Sequence, residues 1–342
     1  MTWNKEIITL DNGQTVSAQA PVIVSASRST DIPGFYSDWF LHRLKQGYSA
    51  WTNPFNGVKN YISYGRTRLI VFWSKNPESL LNPIGLLDYL QERGINCYVQ
   101  YTLNDYESEG LEKGVPPLNK RIHTFKALAG RLGVGKVIWR FDPLILTDKV
   151  DVETLLKRIQ HIGDELRGYT EKLVFSYADI TAYRKVKANL ELNHVKYKEF
   201  SDSEMLQFAD GLHRINEKWG YTLATCGERI DLSHYGVKHN KCIDDDLMIK
   251  YFSEDKVLMD FLGAEVQDVD LFSGERTIIK KKNNKDKGQR QYCGCIVSKD
   301  IGEYNTCAHL CEYCDANSSK ELALRNLQTH RSNPLADTIT GK

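Results

Sequence analysis

The sequence of 342 residues contains no run of about eighteen apolar residues, the length a helix needs to cross a bilayer, so membrane-spanning helices are excluded and no membrane partner is expected. Its opening residues, MTWNKEIITLDNGQTV, have neither a basic flank nor an apolar core. No export signal is read there, and a cytoplasmic location is expected. Charge of one sign is also missing: Lys and Arg number 45 against 44 Asp and Glu, a net charge of +1. No overall field draws the chain to nucleic acid or lipid, and either partner would need a local patch. Internal repeats and low-complexity segments are absent. No phosphate-type glycine loop follows the first apolar run, which argues against dinucleotide binding.

What is present is a globular composition, 41% hydrophobic and 26% charged, with enough chain for one large domain or two ordinary ones. Short runs rich in β-branched and aromatic residues recur: PVIVSAS (21–27), YSAWTNP (48–54), RLIVFWSKNP (68–77), INCYVQYTLN (95–104), KVIWRFDP (136–143), KLVFSYAD (172–179) and YTLATCGE (221–228). Helical patterns lie between them, such as FYSDWFLHRLKQG and VDVETLLKRIQHIGDELRGY, whose apolar residues recur at three and four. Strands alternating with helices predict parallel βαβ units with right-handed crossovers. Near-continuous apolar strands predict a sheet covered on both faces. The expected fold is therefore α/β, a full or partial parallel (β/α) barrel of the TIM-barrel kind over residues 1–265. A polar, basic stretch, GERTIIKKKNNKDKGQRQ, reads as a linker over 266–292 and, alternatively, as a phosphate-binding patch. A cysteine-rich metal-binding segment follows over 293–325, and 326–342 reads as a flexible tail.

In such a fold the carboxyl ends of the strands carry the chemistry. Here those ends hold Ser25, Ser27 and Arg28, with Thr30 and Asp31 just behind, then Asn53, Lys75, Asn76, Thr102, Asn104, Arg140, Asp142, Ser176, Asp179, Cys226 and Glu228. Any one of them can be an ordinary strand end or helix cap, as Asp31 before IPGFY would be. Together they predict a polar pocket of mixed charge, suited to a zwitterionic or phosphate-bearing small molecule.

The eight cysteines are unevenly placed. Cys97, Cys226 and Cys242 stand alone, while Cys293, Cys295, Cys307, Cys311 and Cys314 fall within 22 residues. Without an export signal, that cluster reads as metal ligands rather than a disulfide framework. Two CxC and CxxC pairs, Cys293 with Cys295 and Cys311 with Cys314, would suit tetrahedral zinc but leave Cys307 over. Cys307, Cys311 and Cys314 on one loop would instead serve several irons of an iron-sulfur cluster. A redox or unligated role is the third reading. His239 and Cys242, in HNKCID, could join a second metal site with Cys226, Cys293 and Cys295. His309 would orient the cluster loop, and Cys97 would be a small core residue.

The spacing C-x3-C-x2-C with Tyr313 before the last cysteine resembles the signature of radical S-adenosylmethionine enzymes. That resemblance implies a 4Fe-4S cluster on Cys307, Cys311 and Cys314, S-adenosylmethionine on the open fourth iron, and reductive cleavage to a 5'-deoxyadenosyl radical fed by an electron-donor protein. It also implies a full or partial βα barrel. In that superfamily the signature follows the first strand, whereas here that loop is SASRSTDIPGFY, and no glycine-glycine-glutamate run follows the second strand. The whole arrangement, from SASRSTDIP through WRFDPLIL to CGCIVSKDIGEYNTCAHLCEYC, is similar to an uncharacterised bacterial family, domain of unknown function 1848. The expected machinery is Arg140, Asp142 and Glu228 as catalytic groups, Arg28, Asn53, Lys75 and Asn104 around the cofactor, and Cys293 and Cys295 as further metal ligands. The rival expectation is a non-catalytic iron-sulfur or zinc protein that binds nucleic acid or another partner through KKKNNKDKGQR.

Overall fold

The computed structural model describes residues 3–53, 56–269 and 276–341. Strands β1 (Lys5–Thr9) and β2 (Thr15–Gln19) form a hairpin, and β3 (Ile23–Ala26) follows with all four residues buried. Next come β4 (Tyr48–Thr52), β5 (Lys59–Ser63), β6 (Leu69–Ser74), β7 (Asn96–Thr102), β8 (Val137–Leu144) and the short β9 (Leu146–Thr147). The chain continues through β10 (Lys172–Tyr177), β11 (Tyr197–Lys198), β12 (Thr222–Thr225) and β13 (Val237–His239). It ends with β14 (Ala264–Val269), β15 (Arg276–Lys280) and β16 (Lys299–Asp300).

The central sheet has eight strands in the order β13-β12-β10-β8-β7-β6-β3-β16, and every neighbouring pair is parallel. Among the described residues its two edges, β13 and β16, are not joined, so the sheet is open and no closed barrel is formed. Six of the seven expected apolar runs lie in it. The seventh, YSAWTNP, does not: β4 pairs antiparallel with β5 in a separate sheet ordered β1-β2-β5-β4. Only residues 53–58 separate β4 from β5, too few for the crossover that parallel neighbours require, so a hairpin is the only pairing open to them.

Both faces of the central sheet are covered, as the apolar strands predict. Val24, Phe72, Val99, Trp139 and Phe175 point to the layer of crossover helices, where they meet Phe40, Phe125, Ile159 and Phe208. Helix Val152–Leu166 shows why that layer forms. Asp151 caps it by accepting from Thr154 N at 2.8 Å, and Leu155, Ile159, Ile162 and Leu166 line its buried face, each contributing about 1.5–3 kcal/mol by burial. The alternate residues Ile23, Val71, Tyr98, Ile138 and Val174 face a second core. Helices Asp245–Phe252 and Lys256–Leu262 close it, together with Cys242, Cys293, Cys295 and Ile296.

This packing crosses the boundaries expected at 265/266, 292/293 and 325/326. The cysteine segment supplies β16 to the central sheet and Cys293 and Cys295 to its core. Residues 270–275 of the expected linker lie outside the described residues. The expected tail holds the second half of helix Lys320–Ser332. Its Ile339 is buried, Ala50 N donates to Asp337 O at 2.7 Å, and Trp39 Nε1 donates to Ala336 O at 2.8 Å. An apolar residue and two carbonyls with partners dock it against β4 and helix Ser37–Gln46. Among the described residues no helix is long and apolar enough to cross a membrane.

Candidate metal centre

The carboxyl ends of β3, β6, β7, β8, β12 and β13 open onto one cavity of about 380 Å³, and seven of the eight cysteines line it: Cys226, Cys242, Cys293, Cys295, Cys307, Cys311 and Cys314. The topology explains why thiols so distant in sequence meet. Strand β16 runs parallel beside β3, with Lys299 opposite Val24 and Asp300 opposite Ser25. Asp300 Oδ2 accepts from Ser25 Oγ at 2.7 Å and from the backbone N–H of Arg28 at 3.0 Å. The loop after β16 therefore emerges beside the loop after β3. Cys97, the eighth, is buried within β7, where desolvation pushes its thiol up to about 12.

Loop 307–314 is gripped from three directions. From the β3 side, Thr30 Oγ1 and Thr306 Oγ1 are 2.7 Å apart, and Tyr36 OH donates to Thr306 O at 2.6 Å. Asp31 caps the short helix Ile32–Phe35 through Gly34 N at 2.7 Å, and its second oxygen meets His309 Nε2 at 2.6 Å. Burial raises the Asp31 carboxyl, but His309 and the backbone N–H of Lys75 hold it below its ordinary value. From the β7 side, the other His309 nitrogen lies 3.1 Å from Gly114 O, and Glu312 N donates to Leu111 O at 2.9 Å. From the end of β6, Lys75 Nζ donates to Glu112 Oε1 and to Tyr313 OH, each at 2.8 Å, and Tyr313 OH also donates to Glu112. His309 thus orients the loop rather than facing it idly, the arrangement that fixes ligand geometry at metal sites.

Gly114 is the tightest point of this grip. A Cβ there would lie 2.6 Å from Ala308 O and 2.8 Å from His309 O, both backbone atoms. Gly114→Ala is expected to push the loop outward, costing about 1–3 kcal/mol as overpacking does. Chemical denaturation of the variant checks the cost, and its metal content checks the displacement.

Burial sets the chemistry of the three loop thiols. It pushes Cys307 up to about 12 and raises Cys311 well above its ordinary value against the pull of Lys75; Cys314 is raised as well. Buried thiols of this kind stay protonated unless a metal deprotonates them. Three soft donors on one loop suit a thiophilic metal, either several irons of a cluster or one zinc ion with a fourth ligand from elsewhere in the cavity.

Of the residues the sequence singled out, Arg28, Lys75, Arg140 and Asp142 line the cavity with the cysteines. Arg140 pairs with Asp142, whose other oxygen accepts from Ser176 Oγ. Asn104 stands behind this wall, donating to Tyr313 OH at 3.0 Å and accepting from Asp142 N at 2.9 Å. Glu228 lies at the end of β12, accepts from Tyr177 N at 3.1 Å, and is pushed up to about 7 by burial. Asn53 is not at the site. It belongs to the β4–β5 turn, its N–H donating to Val58 O at 3.0 Å, because β4 joined the other sheet. His239 stacks on Tyr292 at 5.9 Å instead of lining the cavity.

Several lining groups escaped the sequence reading. Trp73 lies under two guanidiniums, Arg28 at 5.1 Å and Arg140 at 5.4 Å from its ring. Arg290 and Gln289 come from the basic stretch read as linker. Glu112, behind the lining residues Lys75 and Tyr313, had no motif, although Tyr313 did. The one acidic trio whose oxygens gather within 4.8 Å among the described residues, Asp244, Asp245 and Asp246, is neutralised by Lys172, Lys241 and Lys280.

The profile of the DUF1848 family, a domain of unknown function, matches residues 23–316. The chain belongs to that family. No curated protein and no solved structure matches it. The matched span opens at the first residue of β3 and closes two residues beyond Cys314, so it contains the whole central sheet and all seven cavity cysteines.

Proposed function

We propose that this protein is an iron-sulfur enzyme of radical S-adenosylmethionine type acting on a small polar substrate. The observation that carries the reading is the position of Cys307, Cys311 and Cys314 at the carboxyl ends of parallel strands, on a loop beside the one after β3. The superfamily places its cysteine loop after the first strand; here β16, adjacent to β3, brings a C-terminal loop to the equivalent place. The open sheet around the cavity is read as a partial βα barrel.

A bound 4Fe-4S cluster with one open iron would supply the electron for cleaving S-adenosylmethionine. The chain's own residues would do the rest. Arg28, whose guanidinium lies over Trp73, offers a cation for a carboxylate or phosphate, and the bidentate fork of arginine suits both; Lys75 and Arg140, paired with Glu112 and Asp142, add positive charge to the wall. Trp73, already under two guanidiniums, forms an apolar wall, and Asp142 offers an acceptor for a hydroxyl or ammonium. The basic stretch supports nucleic-acid binding less well, since Lys281 pairs with Glu265 and Lys282 Nζ donates to Asp260 O at 3.0 Å.

Anaerobic purification, reconstitution with iron and sulfide, and electron paramagnetic resonance with and without S-adenosylmethionine test the reading. The expected result is a reduced 4Fe-4S signal that shifts on addition, with 5'-deoxyadenosine formed under a strong reductant. A signal indifferent to S-adenosylmethionine would overturn it.

A further inference from the structure

Four of the cavity cysteines are not on the loop of three, and the sulfurs of two of them, Cys242 and Cys295, already accept hydrogen bonds. Cys226 Sγ lies 3.6 Å from Cys242 Sγ. Cys242 Sγ accepts from Arg140 Nη1 and from Asn240 Nδ2, each at 3.0 Å. Cys295 Sγ accepts from the backbone N–H groups of Cys242 at 3.2 Å and Ile243 at 3.4 Å. Donors converging on sulfur are the contacts that tune iron-sulfur clusters. Cys293 completes the set from two residues before Cys295.

The backbone is shaped to bring these segments together. Gly294, between the two cysteines, donates its N–H to Asn240 O at 3.2 Å, and a Cβ there would lie 3.1 Å from that oxygen and 2.8 Å from Lys241 Cγ. Ile296 N then donates to Ile243 O at 3.1 Å. Residues 293–296 therefore lie along residues 240–243, and the end of β12 supplies Cys226. Cys242, Cys293 and Cys295 are 2%, 6% and 2% exposed. An apolar core has no use for four thiols at its mouth beside three guanidiniums, Arg28, Arg140 and Arg290, all of which line the same cavity.

We infer that Cys226, Cys242, Cys293 and Cys295 hold a second iron-sulfur cluster, separate from the loop of three and fully ligated by protein. Four thiolates on one zinc ion at about 2.3 Å would stand about 3.8 Å apart in all pairs. Among the described residues no three of these sulfurs gather within 4.8 Å, so they do not close around one ion, while Cys226 and Cys242 at 3.6 Å stand as two thiolates on one iron of a cluster would. The guanidiniums offset the negative charge that four thiolates bring. The inference rests on these four residues and does not need the S-adenosylmethionine reading.

The test compares anaerobically reconstituted wild type with C226A/C242A/C293A/C295A and with C307A/C311A/C314A, measuring iron, sulfide and zinc per chain and the Mössbauer spectrum. With a tetranuclear cluster at each site, wild type holds about eight irons and each variant about four. Equal iron in wild type and the four-cysteine variant would overturn the inference, as would one zinc lost with that variant. Because that variant removes buried side chains, alkylation mapping of full-length wild type is the second measurement. Cys226, Cys242, Cys293 and Cys295 should be protected when loaded and labelled after chelation under denaturant. A Cys226–Cys242 disulfide, or labelling unchanged by loading, would overturn the inference. Failure of the S-adenosylmethionine response with eight irons present would count against the enzyme reading alone.

Discussion

On the proposed reading, Cys311→Ala is expected to abolish S-adenosylmethionine cleavage and to lose the irons assigned to loop 307–314, while His309→Ala is expected to weaken their binding by about 10–100-fold, the usual cost of losing a group that orients a ligand. The difference follows from what each side chain touches. Cys311 lines the cavity and is the middle of three thiols. Its removal leaves Cys307 and Cys314 to hold a cluster that needs three anchors. His309 ties the same loop to Asp31 and Gly114 from behind, so its loss loosens the thiols without deleting one. Iron and sulfide analysis after a graded chelator challenge separates the two variants, and 5'-deoxyadenosine under strong reductant reads the activity. Equal iron retention in wild type and C311A would remove the loop from the metal site.

The parts of this arrangement that were legible in the sequence are those encoded by local pattern. Runs such as RLIVFWS and KLVFSY announce buried strands because each holds consecutive apolar residues, and the crowding of five cysteines into residues 293–314 marks the segment that meets the sheet. Long-range pairing announces nothing. Strand β16 is the dipeptide Lys299–Asp300, and β13 is Val237–His239 with two exposed residues. Neither has an apolar pattern, yet these two strands bring the cysteines of 242–314 to the carboxyl ends of the sheet. Asn53 shows the opposite failure. YSAWTNP has the composition of a core strand, and only the shortness of the following turn sends it to another sheet. Arg290 was hidden in a basic stretch whose composition is that of a solvated linker, although the segment folds back onto the cavity. Glu112, in a loop without apolar pattern or motif, is recognised only through Lys75 and Tyr313, which reach it from elements 37 and 201 residues away.

That last contact carries the second large effect. Lys75→Met is expected to destabilise the fold by about 3–5 kcal/mol, the cost of leaving a buried charge without its partner. Glu112 is 6% exposed, and without Lys75 its nearest cation is Arg121 Nη2 at 3.8 Å. Burial raises the Glu112 carboxyl, and Lys75 with Arg121 holds it below its ordinary value, so the ammonium is what keeps the carboxylate ionised there. Methionine replaces the stem but neither the charge nor the two hydrogen bonds to Glu112 and Tyr313. Glu112→Gln on the Lys75→Met background should recover part of the loss, because removing both charges leaves no unpaired ion. Urea denaturation of the two single variants and the double variant gives the coupling, and additive losses would mean that Lys75 and Glu112 act independently. The same variants report on loop 307–314 and the metal proposed for it. Tyr313 is adjacent to Cys314, and the Lys75–Glu112–Tyr313 network is what holds that side of loop 307–314 against the sheet. Lys75→Met should therefore release iron to a chelator faster than wild type at denaturant concentrations where both remain folded, which places the effect at the loop rather than in global unfolding.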